Sequence, residues 1–157
     1  MRAACSKYRR MSVRAPSTPP GQANSPNPKL NGLSVLVVDD QEEARELTAT
    51  VFERAGATVT LADSVQAALR ALAEAEFAVL VSDIGMPVED GYDLIRQLRS
   101  REDLRNAPPL PAVAVTAFGA PEDRRKALAA GFQDHFVKPV DWTALLGALE
   151  RLQRPSP

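Results

Sequence analysis

Five side chains that carry a carboxylate, a hydroxyl or an ammonium group lie where short apolar runs of the sequence end. They are Asp39, Asp40, Asp83, Thr116 and Lys138. Three carboxylates in one place repel one another, so such a group needs a bound cation or a retained proton. Oxygen ligands in an open, wet site suit Mg²⁺, which one or two carboxylates hold. A cation, a hydroxyl and an ammonium together meet the needs of a phosphoryl group, and a carboxylate can itself accept that group as an acyl phosphate.

Three of these residues also have a simpler interpretation. Asp40 could cap the helix that follows it, which would leave Asp39 unexplained. Thr116 could be an ordinary strand residue, and Lys138 a solvated surface charge. The phosphoryl interpretation therefore depends on whether the fold brings the five side chains together.

The apolar runs predict five strands that alternate with five helices. The predicted strands cover residues 34–38, 58–61, 77–82, 111–116 and 134–137. The first helix spans about 42–54, with Ala44, Leu47 and Val51 on its inward face. The others begin behind Ser64, after the turn 89–91, at Pro121 and near Asp141, and a polar connection at 101–109 precedes the fourth strand.

This alternation predicts an α/β fold of three layers, in which a parallel sheet is covered by helices on both faces. Parallel strands require crossover connections, and near-continuous apolar strands are typical of sheets buried on both sides. Ligands of such doubly wound sheets bind outside the carboxyl ends of the strands. All five candidate side chains follow or end a strand, so we expect them to meet at that edge.

The charge distribution divides the chain in two. Residues 1–30 carry six basic residues and no acid, whereas the remainder carries 13 basic and 20 acidic residues. The first part also has five prolines, so we predict a disordered tail or linker at 1–30 and a folded domain at 31–154. A basic tail that contacts nucleic acid or an anionic membrane is the alternative.

Other features indicate a soluble cytoplasmic protein. The chain has one cysteine, Cys5, which excludes a disulfide within the monomer and suits a reducing compartment. No apolar run approaches the ~20 residues of a membrane span, and no apolar segment follows the basic N-terminus as in a secretion signal. No membrane association is therefore expected.

Four motifs in order resemble the receiver domain of two-component response regulators, most closely the receivers attached to hybrid sensor histidine kinases. They are VLVVDD at 35–40, LVSDIGMPVEDGYDLI at 80–95, AVAVTAF at 112–118 and HFVKPVD at 135–141. The resemblance covers about residues 33–153. It implies a flavodoxin-like (βα)5 fold with strand order 2-1-3-4-5.

The resemblance also assigns roles. Asp83 corresponds to the phosphoacceptor, while Asp39, Asp40, Asp83 and the backbone carbonyl of Gly85 would hold Mg²⁺. Thr116 would bond a phosphoryl oxygen and Lys138 would pair with it. The phosphoryl donor would be a sensor histidine kinase or a histidine phosphotransfer domain, and no DNA-binding domain is expected after residue 154.

The sequence departs from the family pattern at two places. His135 stands three residues before the lysine, where the family often has a Tyr or Phe that swings inward on activation. It is either a surface imidazole or the switch side chain, and as a switch it could add pH sensitivity. Gly85 replaces a polar side chain that in the family influences dephosphorylation, and Phe118 lies two residues after Thr116.

The predicted function is a signalling switch with self-catalysed phosphoryl transfer and slow loss of the group, not a turnover enzyme. One alternative is a Mg²⁺-dependent phosphohydrolase of the haloacid dehalogenase type. That class needs a second Asp two residues after the nucleophile, where this chain has Gly85. The other alternative is a receiver-like module that binds proteins without being phosphorylated.

Overall fold

The structure is a computed structural model that describes residues 29–153 of the chain. Its elements alternate strictly along the sequence, as the apolar runs predict. They are β1 Ser34–Val38, α1 Glu42–Arg54, β2 Thr58–Ala62, α2 Val65–Glu74, β3 Val79–Asp83, α3 Gly91–Arg105, β4 Ala112–Thr116, α4 Pro121–Ala130, β5 Asp134–Val137 and α5 Trp142–Leu152. No helix among the described residues is both long and apolar enough to cross a membrane.

The five strands form one parallel sheet in the order β2-β1-β3-β4-β5. The predicted fold class is therefore confirmed. The order reverses direction between β1 and β3, and this switch point opens a crevice at the carboxyl ends of the strands.

Two apolar cores lie on opposite faces of the sheet because alternate residues of each strand point to opposite sides. Helices α1 and α5 cover one face, where Phe52 and Trp142 meet edge to face with ring centroids 6.4 Å apart. Helices α2, α3 and α4 cover the other, which includes Leu80, Leu94 and Ile95. The sheet is thus buried on both faces, as the apolar strands indicate.

Polar side chains fix the starts of three helices. Ser64 and Asp141 each accept a hydrogen bond from the backbone N–H three residues on, as predicted. Asp90 begins α3 with a reciprocal capping box, since Asp90 and Asp93 each accept from the backbone N–H of the other.

At α1, one alternative interpretation is wrong and one prediction is wrong in part. Asp40 does not cap the helix, because Gln41 occupies the N-cap position and its N–H donates to Asp39 Oδ1 over 2.9 Å. Of the predicted inward face, Val51 packs against the core and Ala44 is half-buried, but Leu47 is 54% exposed, and the fully buried residues are Ala49 and Phe52. The large Phe52 ring, rather than Leu47, determines which face of the helix packs on the sheet.

Helix α3 extends further than predicted, through residues 101–105. It ends at Asn106, whose left-handed φ of 53° closes the helix as a glycine would. Glu102 is buried. Its charge is satisfied there because it pairs with Arg99 at 2.8 Å and accepts a hydrogen bond from the N–H of Leu110 at 2.7 Å. Glu102 therefore holds the loop that enters β4, although its charge would suggest a surface position from the sequence alone.

Side-chain bonds tie α3, β4 and β5 together at the end of the sheet opposite the switch point. Arg99 donates to the carbonyl of Gly131 from two nitrogens, at 3.1 and 2.8 Å. Gln133 Oε1 accepts from the N–H of Ala112 at 2.6 Å. These bonds satisfy backbone groups that the short connections leave without ladder partners.

The predicted tail lies almost wholly outside the described residues. The structure describes only residues 29 and 30 of this tail. Leu30 is fully buried in the core beneath α1, and its N–H donates to the carbonyl of Ala55 at 2.9 Å. The described packing therefore begins no later than Leu30.

Candidate functional site

Three carboxylates meet at the carboxyl ends of β1 and β3. One oxygen each from Asp39, Asp40 and Asp83 lies within 4.8 Å of the others, and Asp39 and Asp83 are buried. Strand β1 delivers Asp39 one residue beyond its end, while Asp83 is the last residue of β3. The central positions of these strands therefore bring together acids that are 44 residues apart in the sequence.

Lys138 forms ion pairs with two members of this cluster. Its Nζ lies 3.2 Å from Asp39 Oδ2 and 3.8 Å from Asp83 Oδ1. The lysine follows β5, and its peptide bond to Pro139 is cis. A single ammonium cannot balance three carboxylates, so the cluster keeps an excess of negative charge.

The environment of Asp83 raises the pKa of its carboxyl. Burial is the main cause, and the charge of Asp39 adds to it, whereas Lys138 and the backbone N–H groups of Gly85 and Ile84 act in the opposite direction. Asp83 thus ionises less readily than a free aspartate unless more positive charge comes near. A carboxyl in a cleft whose pKa is raised by burial and a neighbouring charge is also typical of functional sites.

The donor set suits a hard divalent cation. Asp40 Oδ1 is buried without a hydrogen-bond partner among residues 29–153, so it is an oxygen ready to serve as a ligand. Three carboxylates in an open cleft match the oxygen ligands of Mg²⁺, which retains several waters. The residues present therefore fit a Mg²⁺ site.

Thr116 is the last residue of β4, the strand that pairs with β3. Asp83 pairs in register with Val115, so Thr116 stands one residue beyond that level. Its side chain is buried, and Oγ1 accepts from the N–H of Phe118 at 3.1 Å. A hydroxyl has one proton and two lone pairs, so this bond leaves the proton available to another acceptor.

His135 is buried, and the interpretation as a surface imidazole is wrong. The side chain is 6% exposed, and Nε2 has no hydrogen-bond partner among the described residues. Burial is the main cause that lowers its pKa and Arg124 lowers it further, while a hydrogen bond with the Phe118 backbone and the charges of Asp123 and Asp134 oppose the shift. The neutral form of the imidazole is thus favoured over the charged form more than in a free histidine.

The loop between β3 and α3 is held tightly behind Asp83. A Cβ at Gly91 would lie 2.5 Å from the carbonyl oxygen of Asp83, so only glycine allows this approach. Val88 has a left-handed φ of 69° at the centre of a three-residue turn, in which the N–H of Glu89 donates to the Pro87 carbonyl at 2.8 Å. Glu89 in turn accepts bonds from two glutamine side chains, one on α2 and one on α3.

Two contacts near the site were not expected from the sequence. Arg45 donates to the carbonyl of Asp39 at 2.8 Å and so fixes the backbone between the two acids. The ring of Phe118 reaches over Gly85, where Cε2 lies 3.7 Å from the position a Cβ would occupy. Neither contact follows from a motif, although Arg45 lies one helical turn into α1, close enough to reach back.

An apolar cavity of about 230 Å³ lies beside the acid cluster, between α1 and α5. Val37, Val81 and Val115 line its floor, and Trp142 lines one side. Asp39, Asp83 and Lys138 also border it. Trp142 and part of the acid cluster therefore border the same cavity.

Comparisons with known proteins agree with this geometry. The family model of the response regulator receiver domain matches residues 35–150. An uncharacterized 14.6 kDa protein in the sodA1 3' region of Leptolyngbya boryana is 40% identical over 119 residues, which cover 76% of this chain and 88% of that protein. Hybrid signal transduction histidine kinase D of Dictyostelium discoideum is 32% identical over 133 residues, which cover 82% of this chain but only 9% of the kinase.

Among solved structures, a similar fold occurs in the Saccharomyces cerevisiae complex of the histidine phosphotransfer protein Ypd1 with the receiver domain of its downstream response regulator Ssk1. The match has a TM-score of 0.74 and 25% identity, and it covers 79% of this chain and 90% of that one. The sheet order, the acid cluster at the switch point and the family match lead to one conclusion: this chain belongs to the response regulator receiver domain family of two-component signal transduction.

Proposed function

We propose that Asp83 accepts a phosphoryl group from a phosphohistidine of a sensor histidine kinase or a histidine phosphotransfer domain. The observation that carries this proposal is the position of the Asp83 carboxylate, buried in a cluster of three acids and 3.8 Å from Lys138. The Asp39, Asp40 and Asp83 carboxylates and the Gly85 backbone carbonyl would hold Mg²⁺. Supporting evidence comes from the family match and from the solved complex of a receiver with a phosphotransfer protein.

The transfer moves one group between two nucleophiles. A carboxylate oxygen of Asp83 attacks the phosphorus, the phosphorus–nitrogen bond of the phosphohistidine breaks, and the electron pair of that bond stays on the imidazole nitrogen. The products are an aspartyl phosphate and a free histidine on the partner. Hydrolysis by water later regenerates the Asp83 carboxylate and releases inorganic phosphate.

Lys138 and Thr116 serve the phosphoryl group in this scheme. Lys138 exchanges part of its contact with Asp39 and Asp83 for a phosphoryl oxygen, and the Thr116 hydroxyl donates its proton to another. Mg²⁺, when bound, would supply the positive charge that three carboxylates and a phosphoryl group require. The added charge at Asp83 then favours a second arrangement of Thr116, His135 and the surface of α4 through α5.

We further propose that the protein is a cytoplasmic switch rather than an enzyme that turns over a substrate. A hydrolase that uses an aspartyl phosphate needs a general acid close to the nucleophile, and in the haloacid dehalogenase type an Asp stands two residues after it. Gly85 offers no proton at that position. The partner then provides the phosphohistidine, and the switch changes which proteins it contacts.

The test is chemical phosphorylation of the full chain with acetyl phosphate and Mg²⁺, followed by intact-mass measurement. Wild type should gain one phosphoryl mass, whereas Asp83→Asn should gain none. Asp90→Asn is a matched control, because Asp90 caps α3 nearby but does not belong to the acid cluster. It should be phosphorylated like wild type.

Three outcomes would contradict the proposal. Equal phosphorylation of wild type and Asp83→Asn would move the acceptor elsewhere. A complete lack of phosphorylation in all variants would favour the alternative of a protein-binding module. Steady release of phosphate from p-nitrophenyl phosphate by wild type would instead favour the hydrolase.

A further inference from the structure

The cavity between α1 and α5 is large for the interior of a small domain. It measures about 230 Å³, whereas protein interiors pack with few voids larger than a water molecule. Helix α5 lines it with Trp142 and Leu145. Helix α1 lines it with the small side chains of Ala44 and Thr48, while its bulky Phe52 lies about two turns beyond Ala44. The side chains on the first turns of α1 are therefore too small to fill the space beside the sheet.

The walls of the cavity offer water few hydrogen bonds. Its floor consists of Val37, Val81 and Val115. The Thr48 hydroxyl donates to the carbonyl of Ala44 at 2.9 Å, so its proton is already used. An apolar cavity of about 150 Å³ can bind benzene. A benzene ring with a short side chain is therefore of the right size for this larger one.

Two exposed apolar residues connect the cavity to solvent. Leu47 lines it although 54% of the leucine is exposed, and the exposed Pro139 lines it as well. A molecule that enters beside these residues covers apolar surface that the fold leaves in water, which is favourable. The cavity is thus accessible to a small ligand from outside.

The charged groups of the cavity lie together and carry an excess of negative charge. They are Asp39, Asp83 and Lys138. Lys138 already pairs with both carboxylates, at 3.2 and 3.8 Å. Asp40 brings a third carboxylate within 4.8 Å of the other two, so one ammonium faces three acids. A cationic group is therefore favoured at this end of the cavity, and an anionic group is disfavoured.

We propose that this cavity binds a small amphiphilic amine, whose apolar body contacts Val81 and Trp142 and whose ammonium pairs with Asp39 and Asp83. An ammonium has three donors and no acceptor, so it can bond to both carboxylates at once. The ring of Trp142 suits an aromatic body, because aromatic pairs gain more than their buried area alone provides. The inference goes beyond the proposed function, since this binding requires neither Mg²⁺ nor a phosphoryl group.

The experiment titrates the unphosphorylated full chain with four probes in buffer without Mg²⁺ and follows the indole N–H signal of Trp142 by NMR. Trp142 is the single tryptophan of the chain, so its indole signal is identified without further assignment. The probes are phenylethylamine, the neutral phenylethanol, the anionic phenylpropionate, and ethylamine, which lacks the ring. They separate the effect of the charge from the effect of the apolar body.

The four probes should bind in a fixed order. Phenylethylamine should bind with a dissociation constant in the millimolar range, as expected for a molecule of this size. Phenylethanol should bind about tenfold more weakly, because it cannot make charge-assisted hydrogen bonds to the carboxylates. Phenylpropionate should bind more weakly still, because the acids repel it. Ethylamine should cause no measurable shift, because it buries too little apolar surface.

A substitution inside the cavity tests where the amine binds. Ala44→Leu adds apolar atoms to the space of the ligand at a helix position that leucine suits, so phenylethylamine should bind at least about tenfold more weakly. Ala129→Leu is the matched control, because Ala129 is exposed on α4 outside the cavity. It should bind phenylethylamine like wild type.

A substitution in the acid cluster tests what selects the ammonium. Asp39→Asn should lower the preference for phenylethylamine over phenylethanol about threefold or more, because it removes one of the two paired charges. Asp63→Asn should keep the wild-type preference, since Asp63 is an exposed acid outside the cavity. The probe series on wild type decides the question even where a variant fails to fold.

Three results would overturn the proposal. If phenylethanol or phenylpropionate binds as tightly as phenylethylamine, the acids do not select the ligand. If folded Ala44→Leu binds phenylethylamine like wild type, the amine lies outside the cavity. If no aromatic probe shifts the Trp142 signal, the cavity is left to an apolar side chain of a partner protein. Phosphorylation of Asp83 is measured separately, so either proposal can fail while the other stands.

Discussion

At the scale of single residues, Asp40 and His135 each bury an unpartnered polar atom among the described residues, and each has a different reason to do so. Asp40 Oδ1 stands next to two other carboxylates, where a cation can satisfy it. His135 Nε2 is buried, and burial is the main cause that lowers the pKa of this imidazole and so favours its neutral form. Buried polar atoms without partners are rare and costly, so both positions invite measurement.

Asp40→Asn should weaken Mg²⁺ binding about tenfold or more, because it removes a negative charge from the cluster and replaces one oxygen ligand. The fluorescence of Trp142, the single tryptophan of the chain, should report binding from the adjacent cavity. Asp63→Asn is the control, since Asp63 is an exposed acid after β2 outside the cluster. Equal affinities of wild type and Asp40→Asn would remove Asp40 from the proposed ligand set.

The net gain in stability of His135→Phe near neutral pH should stay below about 1 kcal/mol, because removal of a buried nitrogen that lacks a partner is offset by loss of the hydrogen bond with the Phe118 backbone. The gain should grow as the pH falls below about 6.5, since the lowered pKa of His135 makes the unfolded chain bind the proton more readily. Urea unfolding of both proteins at several pH values measures the difference. A gain that does not change with pH would mean that His135 is not held neutral by the fold.

At the scale of helices and strands, the start of α3 packs closely against the end of β3. Gly91→Ala places a Cβ 2.5 Å from the Asp83 carbonyl and 2.8 Å from Ile84 Cα, and backbone atoms cannot yield cheaply. We expect a loss of about 1–3 kcal/mol in the free energy of unfolding, with slower phosphorylation by acetyl phosphate because Asp83 is displaced.

Gly147→Ala on α5 is the matched control for that substitution. Its nearest neighbour would be the end of the flexible Arg151 side chain at 3.5 Å. The higher helix propensity of alanine should stabilise the protein by up to about 1 kcal/mol. If both variants behaved alike, close packing at Gly91 would not be what positions the acceptor.

The sequence predicts the helices and strands well where local signals are strong. It predicts them poorly where contacts between residues far apart in the sequence determine the structure. Runs of branched apolar residues define the strands, and Ser64 and Asp141 mark helix starts by their own hydrogen bonds. The face of α1 was mispredicted because the choice between Leu47 and Phe52 depends on which one the sheet and Trp142 can accommodate. Packing of that kind has no local signature.

The candidate site shows the same division. The resemblance of four motifs indicates which acids, hydroxyl and lysine belong together, and the parallel sheet explains why they meet. The burial of His135 and the position of Phe118 over Gly85 depend on how one connection lies across two strands. Residues in a connection follow no period, so their contacts cannot be deduced from spacing.

At the scale of the whole molecule, the described packing includes Leu30, four residues before β1. Leu30→Ala should destabilise the protein by about 2–5 kcal/mol, because a fully buried side chain leaves a cavity in the core beneath α1. Leu104→Ala, at an 86% exposed position on α3, should change stability by less than about 0.5 kcal/mol. Thermal unfolding measures both, and a small effect at Leu30 would place the start of the domain later.

The side-chain bonds that Arg99, Glu102 and Gln133 make lie at the end of the sheet away from the acid cluster. They join α3 to the entries of β4 and β5, whereas the connection between β4 and α4 is exposed and held by few contacts. The two ends should therefore open at very different rates, and amide hydrogen exchange should be slow around Ala112 and fast around Phe118. A signal received at Asp83 would then change the structure mainly around Asp83, while the opposite end of the sheet keeps its structure.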